Sequence, residues 1–268
     1  MVVHIPGFNL PLTAASGQSF RFNHFQDTAY ELIAMNQRLI IKHIGQDLYN
    51  FSCDENQFMA VWQKYFDLDR DYETVQSLVL QDGSYLHQAV KYASGVRILR
   101  QEPFENLVSF IISQRKNIPA IKCCVERLSH KFGNEICPGV HAFPTPDALS
   151  GASMQDLASC GLGYRTQYIR QSAALVSSGE IDLDNLHTLN NADLEQELLR
   201  FPGIGKKVAA CVMLFAYQRM DSFPVDVWIK RVLDAEFPFG FPYDQYPEIS
   251  GILQQYMFCY ARHQAGRD

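Results

Sequence analysis

The sequence predicts an α+β protein. An N-terminal antiparallel β-domain with a helix, plus connecting helices, occupies residues 1–100, and a mostly α-helical core occupies residues 101–268. Three observations carry that expectation. Up to residue 52 the chain alternates apolar and polar residues in short runs separated by turn dipeptides, as half-buried strands do. From Asp71 onward apolar residues recur at three- and four-residue steps, which puts them on one side of successive helices. Between Leu198 and Asp226 an apolar helix end runs into Pro202-Gly203-Ile204-Gly205, and a second helix starts at Lys206.

Taken in order, Ser19 to Phe25 places Phe20, Phe22 and His24 on one face of a strand. Ala29 to Ala34, Arg38 to Ile44 and Asp47 to Phe51 are further short strands, with Asn36-Gln37 and Gly45-Gln46 as turns. Asp54 caps a helix to Phe66 whose apolar residues Phe58, Val61, Trp62 and Tyr65 sit at helical spacing. Tyr72 to Leu80 and Ser84 to Ser94 are helical by the same criterion. Pro103 fits a first helical position, where its missing N–H is not needed, and Phe104 to Ser113 follows. Ile118-Pro119 restarts a helix that ends at Phe132, with Gly133 as its cap. Thr145-Pro146-Asp147 starts another, and Ser153-Met154-Gln155-Asp156 resembles a capping box. Gly161 to Arg165 is a loop by its glycines. Asp226 precedes the apolar-periodic Val227 to Leu233 and reads as an N-cap. The C-terminal Gly251 to Phe258 is helical, with Gln254 and Phe258 four residues apart on one face.

Composition narrows the class. With 268 residues, 47% of them hydrophobic, the chain can bury a large core. No run approaches the roughly 18 apolar residues of a membrane span, so no membrane role and a cytoplasmic, nucleoid-associated location are expected. The seven cysteines are irregularly spaced and odd in number, which argues against a disulfide framework or a zinc ribbon. The formal net charge of -6 argues against a non-specific nucleic-acid coat. A positive face built from Arg115 with Lys116, Arg165, Lys206 with Lys207, and Lys230 with Arg231 remains compatible with it.

The Pro202–Gly205 hairpin is the chemically informative stretch. Glycines around one apolar residue permit a tight turn, and its N–H groups fall at a helix start, where unpaired donors and the helix dipole favour an anion. An ordinary turn between core helices would look the same. Lys206 and Lys207, however, stand in the first helical turn, where the dipole disfavours cations. A lysine amine there is a candidate Schiff-base nucleophile. Asp226 follows Lys207 by 19 residues and is either a plain helix cap or also a carboxylate facing that lysine.

Hairpin, lysine and Pro224-Val225-Asp226-Val227 together resemble the helix-hairpin-helix, Gly/Pro…Asp superfamily of DNA base-excision glycosylases. More narrowly, they resemble its lysine-bearing branch, the 8-oxoguanine DNA glycosylase/AP lyase family, in a bacterial member. The likeness covers most of the chain, from Gly17 to Phe258. It implies a helix-hairpin-helix glycosylase core, Lys207 and Asp226 as catalytic residues, and a DNA phosphate on the backbone of Gly203, Gly205, Lys206 and Val208. It implies no organic cofactor and no required metal, although hairpin carbonyls in the family often share that phosphate with a monovalent cation. Ser16-Gly17-Gln18-Ser19-Phe20-Arg21 resembles the segment whose glycine carbonyl accepts the N7–H that 8-oxoguanine has and guanine lacks. A turn glycine entering a strand is the alternative for Gly17. Gln254 and Phe258 match the pair that reads and stacks on the flipped base, and Cys211, four residues after Lys207, matches the cysteine on its other face. Tyr164 and Arg165 match a loop whose tyrosine wedges the duplex and whose arginine contacts the orphaned cytosine.

Three positions depart from the family pattern. Arg115 stands where an asparagine fills the hole left by the flipped base, and Ala120 where a second arginine reads cytosine. Trp228 occupies a position where a DNA-contacting histidine is common. Strict selection for cytosine is thereby in doubt. Only Cys259 lies where some relatives carry a four-cysteine iron–sulfur cluster, so the resemblance implies none here. The expected partner is duplex DNA with a damaged base, bound by a monomer, and the expected activity is glycosylase with β-lyase. A monofunctional alkylpurine glycosylase, using Asp226 without Lys207, is one alternative. A non-catalytic DNA-binding module is the other, although binding alone has no use for Lys207, Asp226, Gln254 and Phe258 together.

Overall fold

The computed structural model describes residues 1–79 and 81–266. Its strands are β1 (Val2–His4), β2 (Phe22–Gln26), β3 (Ala29–Ala34), β4 (Gln37–Gly45), β5 (Leu48–Phe51), β6 (Glu135–Cys137) and β7 (Val140–His141). The helices of the first part are α1 (Leu10–Ala15), then α2 (Glu55–Gln57) and α3 (Gln63–Tyr65), which are joined by a π-helical turn over Phe58–Trp62. Next come α4 (Tyr72–Ser77), α5 (Tyr85–Tyr92), α6 (Pro103–Ser113), α7 (Ile118–Phe132), α8 (Pro146–Ser150) and α9 (Met154–Ser159). The last five are α10 (Arg165–Ser177), α11 (Asn191–Leu199), α12 (Lys206–Phe215), α13 (Val227–Glu236) and α14 (Ser250–Gln264).

The architecture is the expected α+β arrangement. β1 to β5 form one antiparallel sheet in the order β1-β5-β4-β3-β2. Met35 and Asn36 both have positive φ, at 52° and 56°, as a two-residue type I′ hairpin requires. The turn therefore sits one residue before Asn36-Gln37, and β4 starts at Gln37. β2 starts at Phe22 rather than Ser19, because Gln18, Ser19 and Arg21 are buried and the first and last of these are tied to distant segments. β1, α1 and the β6–β7 hairpin are too short to announce themselves by periodicity. The helix expected to run to Leu80 ends at Ser77, and Leu80 lies outside the described residues.

Two apolar cores result. Phe22, Leu32, Leu39, Ile41, Phe51, Trp62 and Phe66 fill the space between the sheet and the α2–α3 segment. The second core spans the helices from α4 onward and includes Phe20 from the first part of the chain. Tyr72, Val75, Leu86, Ala89 and Val90 of α4 and α5 point into this second core. Polar groups fasten the sheet to α7. Arg21, 1% exposed, pairs with Glu126 at 2.9 Å and donates to the His141 carbonyl at 2.6 Å. Lys122 Nζ donates to the Phe22 carbonyl at 3.0 Å and to Asn23 Oδ1 at 2.7 Å. These contacts hold Gly17, just upstream, over the helical core.

Candidate active site

The hairpin places two glycines in different surroundings. Gly203 has φ +79°, and a Cβ there would lie 2.3 Å from Cδ2 of Tyr168. The turn is thus pressed onto that ring, and only glycine fits. Gly205 is the N-cap of α12, extended at φ -107°, with no capping side chain and no atom within 4 Å of a would-be Cβ. Its helix start faces open space with the first-turn N–H groups uncapped by any side chain, the geometry of an anion site. Lys206 is exposed beside it, while Val208 is buried, so only the backbone of Val208 can serve a phosphate. The Gly203 carbonyl accepts from Gln114 Nε2 at 3.0 Å. That leaves one lone pair on this hairpin oxygen.

Next to this helix start lies a cleft of about 1070 Å³. Lys207, Asp226, Gly17, Phe258, Arg115 and Trp228 all line it. Arg115, Lys116, Lys207, Lys230 and Arg262 are its cationic lining residues, and Asp226 is its sole carboxylate. The net charge of -6 therefore conceals a positive cavity, and the chain concentrates its cations where a polyanion can enter. Lys207 Nζ is 5.3 Å from the centre of the Phe110 ring. Asp226 caps α13, its Oδ1 accepting from the N–H groups of Trp228 and Ile229, each at 2.9 Å. Lys207 and Asp226 share the cleft, yet no ion pair within 4.0 Å joins them among the described residues. Trp228 is half-buried, with the Arg231 guanidinium 5.5 Å from its ring.

Gly17 has φ +75°, and a Cβ there would meet Cε1 of Phe258 at 3.3 Å and Cδ1 of Ile118 at 3.1 Å. Gln254 and Cys211 lie behind the cleft surface, 4% and 3% exposed. Gln254 Nε2 donates to the Pro224 carbonyl at 3.0 Å, while its Oε1 finds no partner among the described residues. A buried acceptor without a donor is uncommon and is available to a ligand. Burial holds the Cys211 thiol above its ordinary pKa; the Lys207 charge pulls it down and Asp226 pushes it up again.

The residues expected to contact DNA from loops divide. Tyr164 is 53% exposed and its ring rests edge-on against Tyr168, centroids 6.1 Å apart. Arg115 is exposed in a left-handed backbone conformation, φ +52°. Arg165 is turned inward instead. It is 4% exposed, donates to the carbonyls of Leu162 (3.2 Å) and Gln114, and stacks 4.3 Å from the Tyr164 ring. The structure does not bring its guanidinium to the surface where a cytosine would stand. Gln114 and Tyr168 were not legible as site residues. Gln114 lies 89 residues from the hairpin glycine it contacts and 51 from Arg165, and no local pattern reports such contacts. Tyr168 could have been found as the i+4 helical neighbour of Tyr164.

A helix-hairpin-helix placed over a cationic cleft holding a lysine and a carboxylate defines a DNA base-excision protein. The 8-oxoguanine DNA glycosylase N-terminal domain matches residues 2–107, and the HhH-GPD superfamily of base excision DNA repair proteins matches residues 108–237. The solved structure of MBOgg1 with a low-affinity DNA ligand is 37% identical, covers 98% of this chain and 96% of its own, and superposes with a TM-score of 0.92. The Clostridium acetobutylicum 8-oxoguanine glycosylase/lyase, bound to duplex DNA with cytosine opposite 8-oxoguanine, is 34% identical with a TM-score of 0.89, covering 96% of this chain and 93% of its own. A probable N-glycosylase/DNA lyase of Methanothermobacter thermautotrophicus is 29% identical over 229 residues, 74% of this chain and 72% of that one. The chain belongs to the 8-oxoguanine DNA glycosylase family.

Proposed function

We propose that this protein removes 8-oxoguanine from duplex DNA and then nicks the strand as a β-lyase. The observation that carries the reading is the convergence of Lys207, Asp226, Gly17 and Phe258 on one cationic cleft beside an uncapped helix start. The hairpin backbone from Gly203 to Val208 anchors a phosphate. The target nucleotide rotates out of the stack, at a cost of a few kcal/mol. Gly17 accepts the N7–H of the lesion, Gln254 pairs with its Watson–Crick edge, and Phe258 and Cys211 cover its two faces. The amine of Lys207 attacks C1′, and the C1′–N9 bond breaks with its electron pair leaving on the base, which takes a proton. The C1′–O4′ bond then opens to a Schiff base, and loss of a C2′ proton expels the 3′ phosphate. Asp226 stabilises the positive charge that develops on the sugar.

Arg115 fills the gap left by the flipped base, Tyr164 wedges the duplex, and Trp228 and Lys206 contact the backbone. Arg165 acts from beneath by holding the carbonyl of Gln114. We infer that the protein acts as a monomer. No helix among the described residues is long and apolar enough to cross a membrane, and we place the enzyme with the nucleoid in the cytoplasm. The test is a duplex carrying one 8-oxoguanine, with the products read by mass. Free 8-oxoguanine together with a 3′-unsaturated aldehyde end is expected. Base release from alkylated DNA alone would overturn the reading.

A further inference from the structure

The Gly17 carbonyl can discriminate 8-oxoguanine from guanine only if it points at N7 and stays there. A glycine is the residue least able to hold itself in place, so the stiffness must come from its neighbours. The carbonyls on both sides of Gly17 are clamped by two side-chain amides, one buried and one partly exposed. Gln255 Nε2 donates to the Ser16 carbonyl at 2.7 Å, and Gln101 Nε2 donates to the Gln18 carbonyl at 2.7 Å. Gln18 itself has no exposed surface and uses its whole amide. Its Nε2 donates to Ser16 Oγ (2.9 Å) and to the Arg97 carbonyl (2.8 Å), and its Oε1 accepts from the Leu99 N–H at 2.7 Å. Ser16 Oγ continues the chain to the Thr13 carbonyl at 2.7 Å.

Gln255 is 3% exposed and immediately follows Gln254 on α14. The helix that carries the proposed base-reading amide and the stacking ring therefore also grips the segment that carries the proposed N7 acceptor. Gln255 also reaches the Cys259 sulfur at 3.8 Å, one turn further on. Local chain forces alone do not call for three glutamine side chains around one glycine.

We propose that Gln255, with Gln101 and Gln18, is a positioning residue for lesion recognition: it fixes the Gly17 carbonyl relative to Gln254 and Phe258, so that the two edges of the flipped base are read in one rigid frame. This rests on the reading of Gly17 as the acceptor of N7–H. Gln255→Leu removes the donor at similar volume and leaves the Ser16 carbonyl unpaired, a loss that typically amounts to roughly tenfold in an equilibrium or rate.

The experiment is single-turnover cleavage by the full chain on two duplexes, one with 8-oxoguanine and one with a preformed abasic site. Strand cleavage at the abasic site needs Lys207 but no base reading. The expected result for Gln255→Leu is a fall of roughly tenfold or more in 8-oxoguanine excision, with abasic cleavage within about twofold of the native chain. Gln101→Leu, at a partly exposed position, should show the same split if the first variant folds poorly. A parallel fall on both duplexes, or no fall on either, would overturn the proposal. A native chain that cleaves abasic DNA but never releases 8-oxoguanine would remove the Gly17 reading first, and the proposal with it.

Discussion

Alanine at the two hairpin glycines should separate folding from DNA binding. At Gly203 the backbone is left-handed, φ +79°, which costs a non-glycine residue about 1–2 kcal/mol. The new methyl would also lie 2.3 Å and 2.8 Å from ring carbons of Tyr168, an overpacking that typically costs about 1–3 kcal/mol. Gly203→Ala should therefore destabilise the fold by roughly 2–5 kcal/mol. In a chain of this size each kcal/mol lowers Tm by about 2–4 °C. Gly205 is extended at φ -107° with nothing within 4 Å of its would-be Cβ. Alanine is a poorer N-cap than glycine, but it lowers the entropy of the unfolded chain by about 0.4–1 kcal/mol. Stability should stay within about 1 kcal/mol of the native chain. The methyl would instead occupy the space in front of the helix start, where the phosphate is to bind. Thermal unfolding and fluorescence anisotropy on an abasic-analogue duplex measure the two effects. Gly203→Ala should lose Tm, whereas Gly205→Ala should keep Tm and lose affinity. Equal loss of Tm in both, or unchanged affinity in Gly205→Ala, would refute the assignment of the hairpin face.

Asp226→Asn keeps a side chain able to cap α13, so stability should change by no more than about 1 kcal/mol. Loss of the charge should nonetheless slow base excision by about 10²-fold or more, read in single-turnover assays beside an unfolding curve. Burial raises the Glu105 carboxyl to about 8; Arg21 pulls it down, and Glu102 and Glu126 push it further up. Because this folded value exceeds the ordinary 4.5, the associated stability is full below pH 4.5 and falls as the pH climbs toward 8. Glu105→Gln should flatten that decline and be the more stable protein at pH 8 in urea unfolding, with little difference at pH 4.5. Ala120 offers no base-edge contact, where a bidentate arginine would supply roughly 1–3 kcal/mol of discrimination. Excision rates opposite the four bases should therefore differ by less than that. With its guanidinium buried, Arg165→Ala should slow all four duplexes alike. A loss confined to cytosine would show that Arg165 swings out to read it.

Much of the site was legible because its chemistry is local. The Gly203–Gly205 turn, the lysines in a helix's first turn and the Asp226 cap are each written within a few residues. The strands β3 to β5 and most helices followed from period and caps. What stayed hidden depends on contacts distant in sequence. β2 begins three residues late because Gln18 and Arg21 are claimed by Arg97, Leu99, Glu126 and His141. Arg165 looked like a loop residue beside Tyr164, but it opens α10 and is drawn inward to Gln114. The amides around Gly17 bridge 83 and 239 residues, and nothing in a single sequence marks a glutamine as that kind of clamp. The net charge of -6 did not report the positive cleft, but the expected positive face did in part: Arg115, Lys116, Lys207 and Lys230 line it, joined by Arg262, while Arg165, Lys206 and Arg231 do not.

The proposed reaction joins the Lys207 amine covalently to the sugar of an 8-oxoguanine nucleotide. Borohydride reduction during reaction with a labelled 8-oxoguanine duplex, followed by peptide mapping of any adduct, tests it directly. A trapped protein–DNA band is expected whose modified peptide contains Lys207 and which disappears in Lys207→Gln. A band that persists in that variant, or maps to another amine, would contradict it.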